Sequence, residues 1–539
     1  MKRLTTTMLA LVMAVMFAAR TQAEMKPLVV VSVAKYSELA SDIDYLGALG
    51  GEQGASNRLA ALMELMLNVR PSDLLNVDLP VGIVVGVDND QFRNVAFIPA
   101  KDPDKVFGII QGLAGVAPED AGGGVKKFSA PNGMNVFVKS SGDSLYAAQA
   151  MDDLTELPAD PTSIFGELAD SYDLGIRAYL QNIPAEYREE ALDGLMEGMQ
   201  GFGVAGPELE MQIAAMKQLF DELDQLTIGL NIDPADKSIY LDLSMSAVPG
   251  SSLARQMAAS DNLTTRFGGF TRDDALLSMS AVGRMTEADI QAAKSQMAQI
   301  RQTMIGQMTN QPGMSDEDRE FLEDWANGIM DMVADTIETG KGDFGLAVIA
   351  DDHISGAMGM HVADGTQAEA LFEQFVGFVS NKGEPIEDFI ERNAVTVDGV
   401  RFHTITPPAD GMGEEERAIL GDAPVFALGI AEDAVYVGFG TGIIESIKEM
   451  MEQSKSMTEQ TVLPFRMTAS VASIANFAGK VAPQAAAFAG AIQPGDDHIR
   501  ITSSYEGVTS TTRIKVEEGV LRFMASLGQQ FGQIGGPIQ

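Results

Sequence analysis

Cysteine is missing from all 539 residues. Its absence excludes disulfides, thiolate metal ligands, thiol nucleophiles and a lipid-modified N-terminal cysteine, so stability must come from core burial. Tryptophan occurs once, at Trp325, and histidine four times, at His353, His361, His403 and His498. No HExxH or His-x-His string is formed from so few. Positive charge is scarce as well: 37 Lys+Arg stand against 76 Asp+Glu, a formal net charge of −39. That field repels phosphate backbones, and no basic stripe with interleaved aromatics interrupts it, so no nucleic-acid partner is expected. Beyond the N-terminus no apolar run approaches the roughly 20 residues of a membrane helix.

What stands at the N-terminus is a leader. Lys2 and Arg3 precede a 12-residue apolar stretch, Met8 to Ala19, and Thr21-Gln22-Ala23 places small residues at −3 and −1. This pattern predicts a secretory signal peptide over residues 1–23, cleaved after Ala23, with no transmembrane anchor left behind. The expected location is periplasmic or extracellular. A hydrophobic content of 45% marks the remainder as globular, and its length suits two to four domains. An acidic, soluble exported protein follows from charge and leader together.

The chain reads as a duplication with a period near 250 residues. Leu28 to Ile43 resembles Ala275 to Ile290, Val81 to Asn89 resembles Phe344 to Asp352, Asn135 to Leu154 resembles Val425 to Ile444, and Tyr172 to Ile183 resembles Phe465 to Phe477, in the same order. Period-two alternation at Phe344, Leu346 and Val348, then at Ile354, Met358 and Met360, argues for antiparallel strands with one covered face. The expected fold is α+β: two related domains, each a mainly antiparallel curved sheet covered by amphipathic helices. The boundaries read as 24–262 for the first repeat, 263–274 for a polar linker, 275–528 for the second repeat and 529–539 for a flexible tail. An acidic mobile loop is read at Pro407 to Arg417.

Helical spacing marks two hairpins. In the first half the stripes are Tyr187, Leu192, Leu195, Met196, Met199 and then Leu209, Ile213, Met216, Phe220, Leu223. In the second half Thr286 and Ser315 are placed to cap helices carrying Ile290, Met297, Ile300 and Phe321, Trp325, Ile329. Methionine, 31 residues in all, is frequent in these stripes. It adapts to variable apolar partners, a lipid, a peptide or a protein, although amphipathic helices ordinarily face their own core.

Chemistry is harder to find. Asp351-Asp352-His353 and Asp496-Asp497-His498 repeat a metal-ligand composition, and these six residues are the metal candidates. Consecutive residues at a strand edge point in alternating directions, and turns favour aspartate for backbone bonding, which argues against convergence on one ion. The EF-hand spacing is absent, and Asp88-Asn89-Asp90 reads as a hairpin turn. Ser32-Val33-Ala34-Lys35 matches S-x-x-K, but Ser32 falls in a strand and the partner motifs are missing. No cofactor and no catalytic residue is expected.

The stretch AVYVGFGTGIIESIKEMM, Ala434 to Met451, places three glycines between a strand and a helix, as phosphate sites do. It has G-x-G-x-G where the dinucleotide fingerprint needs G-x-G-x-x-G, and its counterpart SLYAAQAMDDL (Ser144 to Leu154) has no glycine. A structural strand-to-helix joint is expected, with Thr441 near the N-cap. Glu432 to Met451 and Asp143 to Leu157 resemble segments of uncharacterised exported bacterial proteins with a duplicated α+β ectodomain. The resemblance implies an exported, duplicated, non-catalytic protein and carries no site residues. The function read from all this is binding or envelope structure, with an apolar ligand or an envelope protein as partner. The alternative is a carboxylate-based hydrolase, calcium-assisted or not, with two acids converging in a cleft.

Overall fold

The computed structural model describes residues 26–67, 69–88, 91–114, 117–129, 135–155, 162–189, 217–260, 262–309, 314–382, 386–408, 411–482, 492 and 495–534. The segment predicted as a leader, residues 1–23, lies outside them. Two compact units divide the chain, Met1–Ala254 and Arg255–Gln539. No helix among the described residues is long and apolar enough to cross a membrane.

Among its described residues the first unit holds ten strands: β1 (Lys26–Val33), β2 (Val81–Asp88), β3 (Gln91–Pro99), β4 (Glu119–Gly122), β5 (Val125–Ser129), β6 (Asn135–Ser141), β7 (Ser144–Ala148), β8 (Leu174–Tyr179), β9 (Leu223–Asp233) and β10 (Ser238–Ala247). They pair in the order β10-β9-β8-β1-β2-β3-β7-β6-β5-β4, antiparallel at every step. Helices α1 (Tyr36–Leu49) and α2 (Ala55–Leu67) lie between β1 and β2, and α3 (Pro103–Ala114) follows β3. Helix α4 (Ser252–Ala259) spans the division between the units.

The second unit holds β11 (Leu277–Arg284), β12 (Lys341–Ala350), β13 (Ile354–His361), β14 (Ile390–Val397), β15 (Val400–Ile405), β16 (Val425–Ile430), β17 (Ala434–Gly440), β18 (Phe465–Ser470), β19 (His498–Glu506) and β20 (Thr509–Glu517). Their order is β20-β19-β18-β11-β12-β13-β17-β16-β15-β14, again antiparallel throughout. Adding ten to each strand number of the first unit reproduces it. The helices are α5 (Glu287–Thr309), α6 (Asp316–Glu338), α7 (Gly365–Asn381), α8 (Glu414–Leu420), α9 (Ile443–Met457), α10 (Val471–Val481) and α11 (Glu518–Ile534). The class is α+β.

Each sheet has one tightly packed face. In the first unit Val30, Val84, Val95, Phe97, Tyr146 and Ala148 meet Leu154, Phe165 and Leu168. Gly82 is what admits Phe165, since a Cβ there would stand 2.0 Å from its ring. In the second unit Ala347, Ala357, Ala427 and Tyr436 meet Phe267, Phe270 and the α9 residues Ile443, Ile447, Met450 and Met451. Small strand residues on this face leave the room that the helix and the two phenylalanines fill.

Local chemistry explains several elements. Ser315 caps α6 through the Asp318 N–H, and the Thr286 hydroxyl accepts from Asp289 N at 3.3 Å while Asp289 Oδ2 accepts from Thr286 N at 2.9 Å. The face predicted from Phe344, Leu346 and Val348 is continuous with Met360 and Met358, their direct partners on β13.

Other expectations are corrected. Residues 263–274 are no linker. Phe267 and Phe270 are fully buried against Tyr436, and the polar residues just before them serve local bonds, Thr265 Oγ1 and Arg266 N donating to Asp343. The division falls at 254/255 instead. The tail read at 529–539 is helical to Ile534, where α11 ends, and 535–539 lie outside the described residues. Part of the loop at Pro407 to Arg417 belongs to α8, whose Glu416 carboxylate accepts from Gly413 N at 2.9 Å. Leu223 opens β9 rather than closing a helix. Of the first-half helical hairpin, residues 185–189 and 217–222 are helical, and 190–216 lie outside the described residues.

Candidate functional site

Among the described residues, the second face of each sheet is packed under a helix at one end and partly exposed along the rest. Following the registers across the first sheet, Leu243, Ile228, Ile176, Val31, Ile83, Ala96, Ala147 and Val138 stand directly opposite one another, one from each of eight neighbouring strands. Direct partners in antiparallel strands project to the same side, so this is one unbroken apolar row. At strand spacing it runs for roughly 34 Å. Val138 is buried beneath α3, with Val106 and Phe107, whereas Ile83 and Leu243 are more than a third exposed. Val33, Leu174, Leu230 and Leu241 form a second row beside it.

The second sheet repeats the row with other side chains: Ile514, Ile501, Met467, Met279, Leu346, Met358, Val437 and Leu428. Leu428 lies at the covered end, against the cluster of Val362, Ala368 and Val435. Val437 is 40% exposed, and Phe426, in the adjacent row, 42%. Among the described residues, every large apolar strand residue more than a third exposed (Ile83, Leu174, Leu243, Phe426, Val437) falls on these two faces. Contiguous apolar surface left open to solvent is a general mark of interaction sites.

Beyond the covered end each row stops at a cationic or ionisable residue over an aromatic ring. Lys126, opposite Val138, sits 4.8 Å from the centroid of Phe107. His403, opposite Leu428, lies 5.2 Å from Phe372. His403 is fully buried, Glu369 Oε1 is 3.6 Å from its Nε2, and neither ring nitrogen has a hydrogen-bond partner among the described residues. Burial lowers its pKa, so the ring stays neutral.

The six metal candidates are spread over two places. Asp351, Asp352 and His353 form the exposed turn between β12 and β13, where Lys480 reaches the Asp351 carbonyl and lies 3.5 Å from Asp352 Oδ1. Asp496 is exposed in the approach to β19. Asp497 is buried and spends its carboxylate on Ser470 Oγ (2.6 Å), Ala472 N (2.9 Å) and Gly495 N (3.0 Å), which fixes the start of α10. Burial raises that carboxyl, but these three bonds outweigh it and hold its pKa low. His498 bridges Glu517 Oε2 (3.0 Å) and the Asp273 carbonyl (2.9 Å), and Arg500 ties Glu517 to Asp273. The ligating atoms of Asp497 and His498 are thus engaged within the fold. No group of three or more acids or histidines among the described residues is arranged to hold a metal ion.

The glycine joint is occupied by packing. A Cβ at Gly438 would meet Ile443 at 2.6 Å, and one at Gly440, where φ is +122°, would meet Ser355 at 2.5 Å. The N-cap of α9 is Gly442, left-handed at φ 71°, and not Thr441; no side chain closes that helix end. Ser32 of the S-x-x-K match is fully buried in β1.

Asp42 and Asp173 converge, and both are buried. Asp42, on α1, is hydrogen-bonded to Asp173 at the head of β8, and burial together with that neighbour pushes its pKa up to about 7. Sequence reading missed Asp42, Asp173 and His403. Asp42 had a usable signal, an acid on the inward side of an amphipathic pattern. No protein-family model, curated protein or solved structure matches the chain.

Proposed function

We propose that this is an exported binding protein built from a duplicated α+β domain, and that the half-exposed sheet faces receive an apolar ligand or the apolar surface of an envelope partner. The observation that carries the reading is the eight-residue apolar row, present at matching strand positions in both units. Support for the duplication comes from the shared strand order and from the four pairs of similar segments. They fall on β1 and β11, β2 and β12, β6–β7 and β16–β17, and β8 and β18. Export rests on the leader alone. The hydrolase reading has one observation in its favour, the near-neutral carboxyl of Asp42, and against it the burial of both acids away from any substrate.

The test is titration of the purified chain with an uncharged apolar fluorophore, N-phenyl-1-naphthylamine. Saturable binding is expected. Ile83→Asp and Val437→Asp, each placing a charge in a row, should weaken it at least tenfold in total while circular dichroism stays unchanged. Absence of saturable binding, or binding indifferent to both substitutions, overturns the reading.

A further inference from the structure

Helix α1 buries a single residue, and that residue is an aspartate: Asp42 is 3% exposed. Its neighbour Asp173 is 5% exposed. Neither forms an ion pair with a lysine or arginine among the described residues. Asp173 Oδ2 accepts from Ile232 N at 2.6 Å, which leaves its other oxygen for Asp42. Asp42 Oδ2 has no hydrogen-bond partner. The charged groups that act on Asp42 are acidic: besides its burial, Asp173 at β8, Glu38 on α1 itself and Asp233 at the end of β9 all raise its pKa. On β10, Asp242 is buried and accepts from Tyr172 Oη at 3.0 Å. Asp44 turns the other way, its carboxylate bound to Ser56 of α2.

Two buried carboxyls in hydrogen-bond contact, with no cation to compensate them, cannot both be ionised at an acceptable cost. One proton between them converts repulsion into a hydrogen bond, with one carboxyl donating and the other accepting. We propose that Asp42 and Asp173 share one proton that fastens α1 to the strand ends of the first sheet, so that the α1–α2 hairpin is released when the proton leaves. The titration of Asp42 at about 7 sets the window. Below it the pair is closed. Above it two carboxylates face each other, and the other residues of α1 are half-buried or exposed.

The hairpin is suited to move as a unit. Ser56 binds Asp44, Glu52 N donates to the Gly47 carbonyl, and a Cβ on Gly47 would touch that of Ala55. Leu46, Leu59, Leu62 and Leu65 are exposed and Leu39, Ile43 and Leu49 only half-buried, so limited hydrophobic burial resists release. Apart from Asp42, the restraint at the N-terminal end of α1 is Ser37, whose N–H and hydroxyl both reach the Val77 carbonyl at 3.1 Å.

The experiment is hydrogen–deuterium exchange of the full chain from pH 5.5 to 8.5, corrected for intrinsic rates, read on peptides covering 36–49 and 55–67. In the wild type, protection should fall at least tenfold across pH 7, while β1 and β8 stay protected. Asp42→Asn and Asp173→Asn each replace the shared proton by an amide donor and should keep the hairpin protected at every pH. If Asp42→Asn does not fold, Asp173→Asn carries the test. A carbon-13 titration of aspartate-labelled protein reads the proton directly and should show one carboxyl titrating near 7 that disappears in either variant. Wild-type protection that is flat with pH, variants that behave like wild type, or the absence of any such carboxyl overturns the proposal.

Discussion

Where β8 crosses β9, the first unit sets Arg177 opposite Thr227, with Arg177 Nε 3.0 Å from the threonine hydroxyl. At the matching crossing of β18 and β19 the second unit sets Thr468 opposite Arg500, the same two residue types on exchanged strands. Other matching places differ more. The start of β9 has a half-exposed Asp224 where β19 is preceded by the buried, triply bonded Asp497. The single turn Met151–Leu154 stands where α9 runs for 15 residues. The apolar rows are aliphatic in the first unit and rich in methionine in the second. Pairing and register are common to the two units, and side-chain chemistry is not. Register is set by which face is buried, so one packed face suffices to hold it while charges and helices vary around it. The open row is the surface feature that keeps its character in both.

The largest effects should come from treating the two faces of one sheet as unequal. Phe267→Ala empties a fully buried site and is expected to cost about 3–5 kcal/mol, whereas Val437→Ala on the open face should cost under about 1 kcal/mol. Urea denaturation of the two variants compares them, and equal losses would mean that the open face is as closed as the other.

Next comes the pH response of the first unit. A carboxyl whose folded pKa is raised binds its proton more tightly when folded. Its contribution is therefore fully present below the ordinary value of 3.8 and is lost as pH rises through about 7. Asp42→Asn should flatten that decline and raise the melting temperature by several degrees at pH 8, with little change at pH 5. Asp497 has the opposite sign. Its depressed pKa stabilises above the ordinary carboxylate range and is lost on acidification, so Asp497→Ala should cost about 1–3 kcal/mol at pH 7 and less at pH 3.5. Asp224→Ala, its counterpart in the first unit, should stay within about 0.5 kcal/mol. Thermal melts across pH separate all three. The smallest effect is expected from exchanging Arg177 and Thr227 to copy the second unit's arrangement, a loss under about 1 kcal/mol by the same assay.

What could be read from sequence was local. Thr286 and Ser315 announce their helices through the acids three residues on, and Phe344, Leu346 and Val348 announce a strand by alternation. The linker misreading shows the limit. In SDNLTTRFGGFTRDD the polar residues outnumber the two phenylalanines, yet those two rings decide where the segment goes, because burial outweighs the polarity of neighbours that can bond locally. The open row was not legible because each of eight strands contributes one residue, and only the register assembles them. The acid pair was not legible because 76 acids offer no reason to select Asp42 and Asp173 until the fold buries both.

The methionines of the second row have a consequence of their own. Met467, Met279 and Met358 are half-buried members of one row, with Leu346 between the last two. Oxidants convert a thioether to a sulfoxide, which is polar and seeks hydrogen bonds. Three such conversions would turn the middle of an apolar track into a polar one without altering the packed face behind it. The aliphatic row of the first unit has no atom open to that reaction. Mild peroxide treatment should thus distinguish two surfaces that are equivalent by strand pairing, making one polar and leaving the other as it was.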